Sequence, residues 1–585
     1  MTTPPKQLDL YVDQARMVNW FNPLQLIQIA IRALIGTVFG AHIDRREVEA
    51  ALSQDMPRVH DYSKRDVLWF DYTADLGDGW DSGYSIAWLL AQPQLEAAGR
   101  SLPRGEFLIM GGDEVYPIAS RDAYQQKLCS PYAAALPWSE DANAAPVIFA
   151  LPGNHDWYDG LTSFLRVFCQ QRWIGGWRTR QQRSYFAIKL PHDWWLWAVD
   201  IQLEGDIDAP QKAYFESLAE QLGPGSKVII CPAVSSWVEA GDPRIPREVG
   251  QAGDHPNLQF LEQRIAQSKA TLKLSLSGDL HHYSHYIAAD GSCHRITAGG
   301  GGAFLHGTHD LPDTLVLQEA AGEKTYARKI EYPSQPTARG MRWRNLLFCF
   351  YNPAFSLLLA GVYLLLIWVW QAASGVSSPC ALDAWHVFRD HPGAVLLLLL
   401  PIGGMWGFAS APPRAWQALK KAVWGLAHGC AHVGVAALLW WLAAQFSMAS
   451  PTPWQVLLIV AGLIPLGMLL GGTLFGVYLA ASSTFSGMHD NDVFASLHSA
   501  DYKNFLRLRV DAEGLTIYPF KLERACRSWR LSSAASLVKA PGWLASRVGR
   551  RLWRFKVAEQ QAEAWFAPAS GQIEVALIEA PIQLR

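Results

Sequence analysis

From Ala422 to His489 the chain carries no Asp, Glu, Lys or Arg. A bilayer crossing takes ~20 apolar residues, so this run alone has room for two. Four stretches reach spanning length: Asn345–Trp370, Ala394–Ser410, Ala422–Phe446 and Trp454–Ala481. Pro451 and Pro453 stand between the third and fourth, where a tight turn is wanted. Charged residues make up 17% of the chain, against ~25% in a typical soluble protein. A purely soluble protein is excluded.

Cations sort the loops into two sides. Arg339, Arg342 and Arg344 precede the first stretch, and the next loop, 371–393, has Arg389 as its only cation. Arg414, Lys420 and Lys421 follow the second, residues 447–453 have none, and Lys503, Arg507 and Arg509 follow the fourth. The alternation predicts an integral, multi-pass membrane protein with both termini and residues 61–335 in the cytoplasm. None of the eight cysteines forms a CxxC pair, and Met1–Asp13 has no signal-peptide core. Both agree with a reducing compartment. A net charge of −2 gives no global basic field, so nucleic acid is not expected as a partner; the lipid bilayer is.

Residues 1–60 form an N-terminal segment around the apolar stretch Asn22–Gly40, which is interrupted by Gln25, Gln28 and Arg32. It is expected to be an amphipathic helix lying on the membrane or packed on the next domain; a fifth span is the alternative. Residues 61–335 alternate β-rich apolar runs with polar corners: Val67–Phe70, Phe107–Met110, Val147–Ala150, Trp194–Val199, Lys227–Ile230 and Leu272–Leu276. That is the pattern of a layered α/β domain with its function at strand ends. Residues 345–481 hold the four membrane helices. Residues 482–585 are expected to form a small cytoplasmic β-containing domain, with a hairpin from Phe505–Val510 and Leu515–Phe520. A basic stretch from Lys521 to Lys556, interleaved with Trp529, Trp543 and Trp553, then suits anionic lipid or a solvated helix.

Four strand-end corners concentrate carboxylate, amide and imidazole groups: Asp71 to Asp78, Gly112-Asp113, Gly153-Asn154-His155-Asp156 and Gly278-Asp279-Leu280-His281-His282. In this order they resemble the calcineurin-like metallophosphoesterase superfamily, in a membrane-bound form with C-terminal transmembrane helices. The resemblance covers roughly residues 65–310. It implies a layered β-sandwich flanked by helices and a phosphoester hydrolase holding divalent metals, two of them in the family. Asp75, Asp113, Asn154, Asp279 and His281 fall at the metal-ligand positions. A carboxylate that bridges two closely spaced cations is needed in such a centre, and Asp113 suits it. In the family the residue matching His155 protonates the leaving alkoxide and the one matching Asp156 holds its ring. Oxygen donors with imidazole suit Mn, Fe, Mg or Zn.

The chain departs from the family pattern in three places. Gly77 follows where an Asp-x-His block is usual, with Asp78 next to it. Cys231 to Trp237 lacks the usual histidine. Asp279 replaces the first histidine of the last block. His255, His282 and His285 are available to fill a gap.

Asp200, Gln202, Asp206, Asp208 and Gln211 are expected beside the site or in structural roles. Gly299–Gly302 allows either a backbone approach to phosphate or a turn. His428 and His432 lie one helical turn apart in the third span, where a helix–helix hydrogen bond is favoured over a ligand role. His489 to Asp492 reads as a helix start rather than a metal cluster.

The expected function is a membrane-bound, metal-dependent phosphoester hydrolase, in which metal-activated water attacks phosphorus and His155 is the general acid. Lipid phosphates or pyrophosphates and nucleotides are the candidate substrates. The alternative is a regulatory membrane protein that binds metal or phosphate after losing its catalysis.

Overall fold

The computed structural model describes residues 9–40, 59–138, 145–201, 207–250, 254–319, 322–374, 389–414, 416–446, 452–531, 536–539, 552–556 and 564–585. The chain divides into two compact units. One comprises Met1–Val18, Ile29–Ser334 and Ser499–Arg585; the other comprises Asn19–Gln28 and Gln335–His498.

The first unit is a mixed α/β body built on two nine-stranded sheets. At the centre of one sheet, Leu68–Thr73, Phe107–Met110 and Val147–Ala150 run parallel, Phe70 opposite Phe107 and Phe107 opposite Val147. These strands read as near-continuous apolar runs because both their faces are covered. The other sheet runs through Tyr283–Ala288, His294–Ala298, Thr271–Ser277, Lys227–Pro232 and Trp194–Val199 in that order. Phe70, Phe107 and Phe149 of the first sheet share one apolar cluster with Leu196, Ile229 and Leu274 of the second. Parallel strands with covering helices place all their carboxyl ends on one rim, where the polar corners gather.

The C-terminal hairpin differs from the expected separate domain. Lys503–Asp511 pairs antiparallel with Gly514–Leu522 and also with Leu68–Thr73, so both strands extend the first sheet. A fully buried ion pair pins the junction: Arg507 Nε donates to Asp71 Oδ1 at 2.7 Å and its Nη2 to Asp71 Oδ2 at 3.1 Å. Removing one partner from such a pair costs ~3–5 kcal/mol, since it strands a buried charge. Most of the basic stretch between Leu531 and Lys556 lies outside the described residues.

Among the described residues of the second unit, three helices are long and apolar enough to cross a membrane: Pro353–Ala373, Gln417–Phe446 and Pro453–Ser486. The expected second span is a shorter apolar helix of 17 residues, Pro392–Phe408. The helices approach closely at glycines. A Cβ on Gly476 would fall 1.8 Å from the Asn345 carbonyl oxygen, and one on Gly429 2.5 Å from the Ile402 Cα. Small residues at such crossings are how apolar helices gain packing where no hydrophobic effect drives them together.

Candidate metal centre

Each corner of the site is a sharp reversal at a strand end. Asp75, Asp113 and Asp279 have φ of 61°, 52° and 67°. This left-handed region is tolerated by Asp but costs most other residues, and such strain concentrates at functional sites. The Asp75 amide donates to the Gly112 carbonyl and the Leu76 amide to that of Asp113, both at 2.9 Å, so the first two corners are stitched together. A third element, the short helix Asn154–Trp157, is drawn in where the His155 amide donates to Asp113 Oδ1 at 2.9 Å. Gly153 is required here, because a Cβ would fall 2.0 Å from the same oxygen.

Asp75, Asp113 and His281 converge: all three are buried, and one ligand atom from each lies within 4.8 Å of the others. Their donor set is filled out by Tyr116. Its hydroxyl oxygen stands 3.1 Å from Asp75 Oδ1, 2.8 Å from Asp113 Oδ2 and 2.8 Å from His281 Nε2. His281 Nδ1 donates to the Phe304 carbonyl at 2.7 Å, so Nε2 faces the cluster with its lone pair. One hydroxyl proton therefore meets three acceptors. Asp75 Oδ2, fully buried, has no hydrogen-bond partner at all.

Electrostatics sharpen the imbalance. Burial, then the neighbouring carboxylates of Asp113 and Asp279, push the Asp75 pKa well above the usual range. Burial, then Asp113 and Asp254, raise Asp279 to about 7. Burial, then the imidazole of His306 stacked 3.8 Å away, lowers His281. Nearby Lys503 is buried, donates to the Ala303 carbonyl and is lowered to about 8 by burial. Acids that cannot all ionise, a bare imidazole nitrogen and an orphaned carboxylate oxygen fit a hard or borderline divalent cation. Asp75, Asp113 and His281 could hold one, with the Tyr116 oxygen beside them.

The remaining expected residues fall in several places. Asp279 adjoins the cluster, its amide donating to Asp75 Oδ1 at 3.1 Å, but its carboxylate is not among the three converging groups. Asn154 opens the short helix that carries His155. The His155 ring packs on Tyr116, centroids 4.5 Å apart. Asp156 does not hold that ring. Its Oδ2 accepts from the Gly153 and Glu114 amides at 2.8 and 3.1 Å, and its Oδ1 from the Tyr124 hydroxyl. His155 Nδ1 instead meets the Pro117 carbonyl at 2.7 Å. Asp156 thus shapes the two corners rather than the imidazole.

Asp78 does not replace the missing histidine, because its carboxylate accepts from the Val18 and Phe304 amides at 2.7 and 3.1 Å. In the stretch lacking a histidine, the Ser235 hydroxyl bonds those of Ser277 and Thr297 at 2.5 and 2.8 Å. His285 is taken up by Glu579 and His294, each at 2.8 Å. His255 Nδ1 lies 3.5 Å from Ser236 Oγ. His282 is buried, both ring nitrogens lack a hydrogen-bond partner, and burial followed by His309 takes its pKa to about 3.

Asp200 accepts from Trp157 Nε1 at 3.3 Å, behind the His155 helix, and Gln211 braces the Asp200 backbone at 3.0 Å. Gln202 and Asp206 lie outside the described residues. The glycine run is structural: a Cβ on Gly299 would fall 2.2 Å from Asp75 Oδ2 and one on Gly300 2.3 Å from the Asn504 amide. Sequence reading missed Tyr116 and His306. Tyr116 follows Asp113 by three residues in the same corner, and that spacing was the available signal.

No protein-family model and no curated relative matches the sequence. Among solved structures, GAP50, described as the anchor in the inner membrane complex of Plasmodium, is similar at 13% identity with a TM-score of 0.30. The match covers 45% of this chain and 84% of that one. PhoD is similar at 10% identity with a TM-score of 0.27, covering 46% of this chain and 63% of that one. Neither match bears on the chemistry, and the reading of the centre rests on its own geometry.

Proposed function

We propose that the chain is a membrane-bound, metal-dependent phosphoester hydrolase whose centre lies between the two sheets' strand ends in a calcineurin-like sandwich. The observation that carries it is the convergence of buried Asp75, Asp113 and His281 within 4.8 Å, with the amide of His155 bonded to Asp113. A divalent ion there would supply Lewis acidity, activating water and neutralising charge on phosphorus. Asp75, Asp113, His281 and the Tyr116 oxygen would hold it, and Asn154 and Asp279 are proposed as ligands of a second ion. His155 keeps Nδ1–H on the Pro117 carbonyl, which leaves Nε2, when protonated, to give its proton to the departing oxygen. Tyr116 packed against that ring fixes its tilt.

The four apolar helices, Pro392–Phe408 included, are proposed as spans, with the phosphoesterase unit and both termini cytoplasmic and loop 371–393 on the far side. The substrate is a lipid phosphate, a pyrophosphate or a nucleotide. A lapsed regulator that binds metal or phosphate is the second reading, favoured by Ser235, which stands in the stretch expected to carry a histidine and spends its hydroxyl on those of Ser277 and Thr297. Metal analysis of the purified protein, alongside a panel of phosphomonoesters and phosphodiesters, decides between them. Bound metal with turnover supports the enzyme. Bound metal without turnover on any ester or divalent ion supports the regulator, and no bound metal removes the enzyme.

A further inference from the structure

The helix Pro23–Gly40 has an unusual setting. Asn22 caps it, its Oδ1 accepting from the Leu24 amide at 3.1 Å, and Pro23 opens it. Just before the cap, Phe21 is buried in an aromatic cluster of the helical unit, with ring centroids 5.3 Å from Phe348, 5.6 Å from Phe355 and 5.7 Å from Phe475. Immediately beyond it Leu24, Ile27 and Ile31 are 73%, 57% and 54% exposed. They recur three and four residues apart, so they share one face. Gln25, Gln28 and Arg32 recur at the same spacing, one residue on, and form a narrow polar stripe.

At 18 residues the helix is ~27 Å long, close to the ~30 Å of a hydrocarbon core. A crossing is nevertheless excluded by where its flanks go. On the N-terminal side the Val18 amide donates to Asp78 at 2.7 Å, and the Ala15 carbonyl accepts from Trp80 at 3.0 Å. On the C-terminal side His60–Asp61 pairs with Phe186–Lys189. Both flanks belong to the one α/β unit. A single crossing would put them on opposite sides of the membrane. The sequence 41–58 between them, with Asp44, Arg45, Arg46, Glu47, Glu49, Asp55 and Arg58, contains no apolar stretch of spanning length.

We infer that Pro23–Gly40 is an in-plane membrane helix. Leu24, Ile27 and Ile31 sink into the acyl boundary, and Gln25 and Gln28 stay at the headgroups. Its partner is the lipid surface itself. Continuity of Phe21 with the apolar helices argues for this, as does the exposed face of Leu24, Ile27 and Ile31. The inference does not depend on the phosphoester reading.

The test uses the full chain in nanodiscs of mixed phosphatidylcholine and phosphatidylglycerol, with Cys129, Cys169, Cys380, Cys430 and Cys526 replaced by serine. Ile27→Cys and Gln28→Cys are labelled separately with an environment-sensitive dye. The Ile27→Cys probe should lose most emission to nitroxide lipids labelled ~5–10 Å below the headgroups. It should lose little to aqueous iodide, and the Gln28→Cys probe should show the reverse preference. Strongest quenching of both by nitroxides at the acyl chain ends would mean a crossing and overturn the inference. Quenching of neither by lipid would mean a helix packed on protein and would overturn it equally. A cooperative thermal melt at the parent temperature in each labelled variant guards against misfolding as the cause.

Discussion

The molecule buries polar groups in two very different ways. In the α/β unit Asp75, Asp113 and His281 are packed together with like charges opposed and Asp75 Oδ2 unbonded. In the helical unit His428 and His432 are equally buried, but they are mostly provided for. Their Nε2 atoms pair at 3.0 Å, and His432 Nδ1 meets the Tyr363 hydroxyl. Tyr478 stacks on His428 at 3.7 Å and bonds His489 Nε2 at 2.8 Å, while His489 Nδ1 meets Asp492 at 2.8 Å. Within this histidine and tyrosine network, His428 Nδ1 is the atom without a hydrogen-bond partner among the described residues. Buried polar groups that satisfy one another hold helices together. A cluster that repels itself is asking for a cation. Burial alone does not mark a functional site; the direction of the unmet demand does.

The largest expected effect tests that demand directly. Asp113→Ala removes the carboxylate that contacts Tyr116 and orders His155. Its loss of turnover should exceed the ~10–100-fold that outer partners of metal ligands cost, and bound metal should fall with it. Full metal content and full turnover in the variant would dissolve the contrast between the two regions.

His155→Ala should come next, slowing turnover ~10²–10⁴-fold, the usual span for general acid catalysis. Bound metal should change little, because the amide that bonds Asp113 survives the substitution. The loss should shrink for esters with acidic leaving groups such as nitrophenol, which depart without a proton. An equal loss across a leaving-group series would refute the acid role.

How much of this was legible beforehand depended on range. Apolar strands ending in Asp75, Asp113 and Asn154 could be read because strand and corner are neighbours in sequence. Asp78 and Asp156 could not be assigned, because adjacency to a ligand says nothing about which amide a carboxylate turns toward. Tyr116 reads as one more buried aromatic until the fold sets it between Asp75 and His281. The C-terminal hairpin was recognised, but its place was not. Its partner strand lies some four hundred residues away, Arg507 and Asp71 being 436 apart, and no local pattern encodes a pairing of that range.

The pH dependence of the metal-free protein should be the third largest effect, and its sign follows from the raised acids. Asp279 is raised from 3.8 to about 7 when folded, by burial and then by Asp113 and Asp254. The folded state thus holds a proton that the unfolded chain releases near 4, so stability should fall as pH rises from about 4 to 7. Thermal melts of chelated protein across that window would show it. Added metal should flatten the slope, since a cation takes over from the proton. A stability that instead climbs through this window would mean the acids are not mutually frustrated.

The smallest effect belongs to the other region, and it could undo the comparison most cleanly. His432→Leu removes the bonds to His428 and to the Tyr363 hydroxyl while preserving an apolar side chain of similar bulk. Hydrogen bonds between membrane helices average ~0.6 kcal/mol and reach ~1.7 at most, because the separated helices find other partners. The variant should therefore lose about that much stability in a detergent or lipid unfolding titration. Metal content and turnover should stay at the parent level, since no residue of this network is among the donors of the metal centre. Restoring a polar partner with His432→Gln should recover part of the stability. If His432→Leu instead strips bound metal or abolishes turnover in a protein that still melts cooperatively, the imidazole network is a site in its own right. The division between a frustrated centre and a satisfied scaffold would then be wrong.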